Sequence, residues 1–398
     1  MKLLVLCQYY DPEPFRVGDL CEELSRRGHS VTVVTGVPNY PEGVVYAGYE
    51  KGQKRNEILR GVHVHRCATV ARGTGVLRRV LNYYSFVVSS LRYIRSKECA
   101  AHDGTSFDIV LVYQLSPVMM AYAGLAYKKL HGVPAVLYCL DLWPESLTAG
   151  GIRRGSPIYR FYRGVSRRIY GSMDRVLTAS RLFSDELQGS LGVPAERITW
   201  LPQYAEDAFA PLPVKQTDTC DLMFAGNVGS AQSVETILAA ARLLRDEPSL
   251  RFHIVGGGTQ LGRLRAEAAE LPGVIFYGRQ PPEEMPRFYA MADAMLLTLR
   301  DDPLLCRTLP GKTQSYMAAA KPILGAVGGE AESVIREAGC GFCGPAEDAA
   351  ALAENIRRFL RCGDKAAMGA NARRYYEAHF SRTRFIDALE SILREAAG

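Results

Sequence analysis

The sequence has no apolar run near the roughly 18 residues that a membrane span requires, which argues against a spanning protein and for a cytosolic or peripheral one. The short run Met1 to Gln8 meets Tyr9-Tyr10-Asp11-Pro12 with no small-residue cleavage site, so it reads as a first strand rather than a leader. A nicotinamide enzyme needs a glycine-rich turn directly after that strand. Here the place holds Gln8-Tyr9-Tyr10-Asp11-Pro12-Glu13-Pro14, with no glycine. The ten cysteines include one close pair, Cys340-Gly341-Phe342-Cys343. Without a second pair it makes no structural zinc site, and two small apolar residues in a tight turn explain it. Others, such as Cys7, Cys67 and Cys139, sit in apolar runs, as in a reducing compartment. No Asp-x-Asp element stands at a strand end to suggest a divalent ion, and Asp301-Asp302 is only a weak substitute. The net charge of +6 is too small by itself to argue for nucleic acid.

What is present is the composition of a globular protein, 47% hydrophobic and 23% charged over 398 residues, enough for two domains. Leu3 to Leu6 is a continuous apolar run, Arg16 to Arg27 a helix ended by Gly28, and Val31 to Thr35 a second strand. This βαβ unit implies a parallel sheet. Val62 to Cys67, Ile109 to Tyr113, Ala135 to Cys139 and Arg175 to Ala179 continue it. The pattern restarts with Asp221 to Ala225, a helix from Val234 to Arg245, and strands at Phe252 to Val255, Val274 to Tyr277, Ala294 to Leu299 and Pro322 to Val327. Ala205 to Thr219, with two prolines, is the candidate linker. Ala366 to Ala397 reads as helical. The expected division is 1–205 as an N-terminal domain, 206–375 as a C-terminal domain, and 376–398 as a helix packing back on the first. The fold class is α/β, two Rossmann-like doubly wound domains facing a cleft, and ligands bind at strand carboxyl ends in such folds.

Four elements of the second half bear on chemistry. Phe224-Ala225-Gly226-Asn227-Val228-Gly229 follows a strand and precedes a helix, as phosphate-binding loops do, though a plain turn has the same outline. Gly256-Gly257-Gly258 and Gly278-Arg279 end later strands at the same sheet edge. Leu309-Pro310-Gly311-Lys312-Thr313-Gln314-Ser315-Tyr316-Met317-Ala318-Ala319-Ala320-Lys321-Pro322 opens a helix with Lys312, which neutralises phosphate or is an ordinary surface lysine. Gly328-Gly329-Glu330 follows the next strand.

Together these elements resemble the family 4 retaining glycosyltransferases of GT-B fold, over nearly the whole chain. In the first half Arg26-Arg27-Gly28-His29-Ser30-Val31-Thr32-Val33-Val34-Thr35-Gly36 is similar to the family's second-strand signature. Pro38-Asn39-Tyr40-Pro41-Glu42-Gly43 and Asp141-Leu142-Trp143-Pro144-Glu145-Ser146 resemble the branch that builds O-antigen, capsule and colanic-acid repeats, including N-acetyl-fucosaminyl transferases. The resemblance implies metal-independent transfer without a cofactor, from a nucleotide-diphosphate donor, UDP-linked by expectation. The sugar would be an N-acetylated hexosamine or deoxyhexosamine. The implied acceptor is a polyprenyl-diphosphate-linked saccharide at the inner face of the membrane. Expected donor contacts are Gly226, Asn227, Gly229, Gly256, Gly257, Arg279, Pro310, Gly311, Lys312, Gln314 and Glu330. The sequence departs from the family where it usually carries two glutamates eight positions apart. Arg307 and Ser315 stand there, so neither glutamate role carries over.

Asp141 follows a strand and is the expected base or orienting group, with Glu145 and Glu330 the other catalytic candidates. A helix N-cap is the alternative for Asp141. Acceptor-binding candidates are Tyr10, Arg16, Asn39, Tyr40 and Trp143. Basic and aromatic residues alternate from Arg72 to Lys97 and from Arg153 to Arg175. That pattern suits an anionic membrane surface, or else a solvated face over an ordinary core. No motif for nucleic acid accompanies it. A non-hydrolysing nucleotide-sugar epimerase and an inactive nucleotide-sugar-binding scaffold are the competing readings.

Overall fold

The structure, a computed structural model, describes all residues except 74, 150, 207 and 212–217. It divides into two compact units, Met1–Leu201 with Ile386–Gly398, and Pro202–Phe385. Part of the expected linker, residues 207 and 212–217, lies outside the described residues.

The first unit is built on eight strands, β1 Lys2–Leu6, β2 Ser30–Gly36, β3 Asn56–Leu59, β4 Val62–Cys67, β5 Ile109–Gln114, β6 Ala135–Cys139, β7 Arg175–Thr178 and β8 Ile198–Trp200. They lie in the order β3-β4-β2-β1-β5-β6-β7-β8. All pairs are parallel except the β3–β4 edge. Leu3, Leu4, Val5 and Leu6 have no exposed surface, as a strand covered on both faces requires. Within this unit Arg27 pairs with Asp387 and Glu390, and His29 with Glu390, so the end of the Arg382–Ala397 helix is held to the first βαβ turn.

The second unit holds β9 Cys220–Ala225, β10 Leu250–Val255, β11 Val274–Gly278, β12 Ala294–Thr298, β13 Ile323–Ala326 and β14 Gly341–Gly344. Their order is β11-β10-β9-β12-β13-β14, all parallel. Leu222, Phe224, Phe252, Ile254 and Leu296 form its core with Ile237 and Leu238 of the Val234–Leu243 helix and Ile356 and Phe359 of the Ala349–Arg361 helix. In each sheet the chain starts in the middle, runs to one side, then returns to the other. The reversal falls between β1 and β5, and between β9 and β12. Ligands of open α/β sheets bind outside the strand carboxyl ends at such a point.

Several elements differ from expectation. The segment Ala366 to Ala397 is two helices, Lys365–His379 and Arg382–Ala397, separated at the fully buried Phe380. Pro282 to Ala292 is a 3-10 turn, Pro282–Glu284, followed by the Met285–Met291 helix. The cysteine pair is no tight turn: Cys343 lies in β14 and Cys340 just before it, and burial pushes both thiols up to about 12.

Candidate active site

At the reversal point of the second sheet, β9 ends at Ala225, and Tyr316 of the Gly311–Ala318 helix clamps that end. The Tyr316 hydroxyl donates to the Ala225 carbonyl at 3.0 Å and accepts from its N–H at 3.1 Å. Lys312 is one turn N-terminal of Tyr316, on the same helix face. Its Nζ therefore reaches Gly226, lying 2.9 Å from where a Cβ would stand on that glycine, and 3.9 Å from the Phe224 ring centre. The ammonium is buried and has no hydrogen-bond partner, and burial lowers it to about 7. The Thr313 hydroxyl beside it in sequence is also buried and unpartnered. An unpaired buried ammonium is costly. The Phe224 ring offsets only a small part of that cost. These groups converge on the first turn of a helix, where backbone N–H groups and the helix dipole favour an anion.

The glycine loops pack on each other. The Gly226 N–H donates to Val255 and the Val228 N–H to Gly257, which spends two amides of the expected phosphate loop. Gly256, at φ +145°, would carry a Cβ 1.7 Å from the Gly226 carbonyl oxygen. A neighbouring loop thus requires glycine at this position. Gly229 opens a 3-10 turn, Ser230–Gln232, and the Val234–Leu243 helix begins only after Ser233. Asn227 is exposed, and its amide reaches Gln232 at 3.4 Å. Arg279 is exposed beside Gly257. Gln314 is buried, and in the amide orientation that satisfies its neighbours it donates to the carbonyls of Pro310 and Gly311, both at 3.0 Å. It braces the loop that carries Lys312, where a donor contact was expected. Glu330 is buried in the first turn of the Gly329–Ala338 helix. Arg307 ends a short helix, Pro303–Arg307, which Asp302 caps. Ser315 is buried, with the Glu206 carboxylate 3.4 Å from its hydroxyl.

At the first sheet's reversal point, loops after β5 and β6 form a polar cluster around Asp141. Its carboxylate accepts from the hydroxyls of Ser116 and Ser146, and burial raises it above the ordinary carboxylate range. The Trp143 indole N–H donates to Ser116 at 2.7 Å, which fixes that hydroxyl, and the Gln114 amide holds the Asp141 carbonyl at 2.8 Å. Asp141 precedes the Ser146–Ala149 helix by five residues and is not its N-cap.

Other expected residues are committed elsewhere. Glu145 is buried, ion-paired to Arg154 and hydrogen-bonded by Tyr159, which removes it as a base. Tyr10 lies in the core, only 1% exposed. Asn39 is buried and ties two loops, donating to Val37 at 2.8 Å and accepting from the Arg72 N–H at 2.9 Å. Arg16 stands at the N-terminal boundary of the Val17–Arg26 helix without a side-chain cap, and Tyr40 stays partly exposed. The sequence reading missed Thr313, Ser116 and Glu206, along with Glu13, whose carboxylate is buried against three backbone N–H groups. A carboxylate between two prolines just after the first strand was the available signal for Glu13.

The family model "Glycosyl transferases group 1" matches residues 219–362, and "Glycosyl transferase 4-like domain" matches residues 15–203. The chain is 28% identical over 319 residues to WcaI of Escherichia coli K12, named for glycosyl transfer in colanic acid biosynthesis, covering 75% of this chain and 76% of that one. It is 28% identical over 297 residues to WbjE of Pseudomonas aeruginosa, named as a glycosyltransferase, covering 70% and 73%. Among solved structures, HepE of Anabaena in complex with UDP superposes with a TM-score of 0.72 at 13% identity, over 99% of this chain and all of that one.

Proposed function

The chain belongs to the family 4 glycosyltransferases of GT-B fold, and on that premise we propose that it moves a sugar from a nucleotide-diphosphate donor to a lipid-linked saccharide, with retention, in surface polysaccharide synthesis. The observation that carries the donor half is the unpartnered Lys312 ammonium at the Gly226 loop. A diphosphate supplies the charge that this group lacks. As the sugar–phosphate bond breaks, negative charge grows on the diphosphate, and a fixed cation at a helix N-terminus stabilises it without reorganising. In this reading no metal takes part, and Thr313 and Arg279 add polar contacts. Glu206 beside Ser315 supplies a carboxylate near a position where the family often carries one. The UDP bound by HepE supports UDP as the nucleotide, and the name of WcaI supports a surface polysaccharide as the product. An N-acetylated hexosamine or deoxyhexosamine is the proposed sugar.

For the acceptor, Asp141 is the proposed orienting group. Its raised affinity for a proton suits it to hold or receive the hydroxyl proton, and the donor phosphate assists. The membrane reading rests on two helices, Val76–Ile94 and Pro157–Gly171. Neither contains an acidic residue. Val76 and Leu77 are 76% and 73% exposed and Phe161 is 63% exposed, among exposed Arg78, Arg79, Arg160 and Arg163. The Tyr84 and Tyr162 hydroxyls, 2.7 Å apart, join the two helices. Apolar tips among arginines suit an anionic leaflet. Among the described residues no helix is long and apolar enough to cross a membrane.

The test is a panel of nucleotide sugars against short prenyl-diphosphate saccharides. A new glycolipid with stoichiometric nucleoside diphosphate release is the expected result. Release with no glycolipid would overturn the transferase reading as stated. Flotation with anionic vesicles is expected at low salt and weakens as salt is added. No flotation at low salt would remove the membrane from the account.

A further inference from the structure

The loop between β1 and the Val17–Arg26 helix carries a feature that the Asp141 cluster does not explain. Tyr9 and Phe15 stack with ring centres 5.3 Å apart and planes 12° from parallel. Tyr40, from the loop after β2, closes on both, at 5.5 Å and 5.1 Å. Tyr9 is buried and forms the floor, while Phe15 and Tyr40 stay partly exposed above it. The Arg72 guanidinium lies 5.5 Å from the Tyr40 ring centre and donates to the Tyr9 hydroxyl at 3.4 Å. Among the described residues Arg72 forms no ion pair. Asn82, fully enclosed, fixes the other side of the floor by accepting from Gln8 and the Tyr9 hydroxyl.

Glu13 holds this arrangement together. One carboxylate oxygen accepts from the N–H groups of Asn39 and Tyr40 at 2.8 and 2.7 Å, and the other from Tyr10 at 3.1 Å. One side chain thus pins the loop after β1 to the loop after β2, on either side of the aromatic rings. Burying a carboxylate is costly, and burial holds Glu13 up at about 7. A group kept at that cost where ligands of such sheets bind fits a site built in advance of its ligand. The cluster also adjoins the Asp141 region: the Tyr83 phenol, raised by burial, has Arg72, Asp141 and Tyr40 among its electrostatic neighbours.

We propose that Phe15 and Tyr40, on their Tyr9 floor, are a stacking platform for the acceptor's saccharide ring, with Arg72 taking its phosphate and Glu13 positioning both loops. This rests on the transferase reading above. The apolar face of a pyranose packs on an aromatic ring, and a guanidinium without a carboxylate partner suits a phosphate.

The test uses the full chain and, as probe, N-acetylglucosaminyl diphosphate carrying a short prenyl tail. Saturation-transfer NMR reads its binding, and calorimetry with UDP reads the donor site separately. Phe15→Leu, Tyr40→Leu and Arg72→Gln each weaken probe binding about tenfold, the scale of one aromatic or charged contact, with UDP affinity unchanged. Glu13→Gln places an amide N–H₂ against backbone N–H donors. It raises the acceptor KM about tenfold more than it lowers kcat, a split that a general loss of fold does not produce. Circular dichroism and UDP binding confirm that each variant is folded. Equal probe affinity in the wild type and all four variants would overturn the platform, as would a wild type that binds UDP but not the probe. A wild type that binds both and transfers nothing would sink the transferase reading and leave the platform standing.

Discussion

Lys312 gives the sharpest quantitative handle, because its environment should change most when a diphosphate arrives. Moving an ammonium from 10.5 to about 7 corresponds to about 5 kcal/mol against the charged form, an upper figure. The unliganded protein therefore holds Lys312 largely neutral at pH 8. A diphosphate beside it restores the charge, so binding takes up close to one proton at pH 8 and almost none at pH 6. Calorimetry of UDP binding in two buffers of different ionisation enthalpy measures that uptake directly. The same coupling weakens UDP binding as pH rises from about 7 toward 10.5, by up to about tenfold per pH unit. Stability moves the other way. Between those values the unfolded chain holds the proton and the folded chain does not, so the unliganded protein gains stability through this group as pH rises across the window. Lys312→Met leaves the Tyr316 clamp intact and removes the buried charge. It should raise the apo midpoint at pH 7, abolish proton uptake, and weaken UDP roughly 10- to 100-fold, the range of a charge-assisted contact. Unchanged UDP affinity in that variant, or no buffer dependence at pH 8, would refute the reasoning.

The other predictions concern groups with separate roles. Asp141→Asn should lower kcat by about 10²- to 10⁴-fold, with UDP affinity unchanged. A loss below about threefold, measured at saturating acceptor, would remove Asp141 from the chemistry. Gly256→Ala should cost several kcal/mol or prevent folding, because the new Cβ meets a backbone oxygen that cannot move aside. Gly262→Ala, in a helix with nothing within 4 Å, is its control and should be neutral or mildly stabilising by thermal denaturation. Ala320 sits at φ +56°, so Ala320→Gly should stabilise by up to about 1 kcal/mol, and a drop in the denaturation midpoint would contradict the strain argument.

The sheets were legible wherever strands are buried on both faces. Leu3–Leu6, Val31–Thr35 and Asp221–Ala225 are near-continuous apolar runs, and no helix of this composition would be so short. The strands that escaped notice lie at edges. β3 is Asn-Glu-Ile-Leu and partly exposed, β8 has three residues, and β14 is Gly-Phe-Cys-Gly. Their pairing comes from a neighbour's backbone rather than from their own side chains. Gly341, for instance, is read as a turn residue in the sequence. It is in fact needed because a Cβ there would lie 1.8 Å from the Ile323 carbonyl oxygen.

The candidate site divides along a similar line. Residue type and position, at a helix start for Lys312 and after a strand for Asp141, picked out these two, because a cation or a carboxylate at such a place is visible in one dimension. The same reading also picked Glu145, Tyr10 and Asn39 near strand ends and Gln314 near a helix start, and these are spent on Arg154, the core, and the carbonyls of their own loops. What separates the two sets is whether each polar atom finds a partner inside the protein, and that depends on residues far away in sequence. Ser116 reaches Asp141 across 25 positions, and Tyr316 clamps Ala225 across 91. Lys312 stands out because folding buries its charge and leaves that charge unanswered. A sequence can show that the lysine is there, but only the packed loops show that, beyond the Phe224 ring, its ammonium finds no hydrogen-bond partner among the described residues. In the proposed reading a ligand supplies the counter-charge, and at this sheet edge a diphosphate does so with the fewest further assumptions.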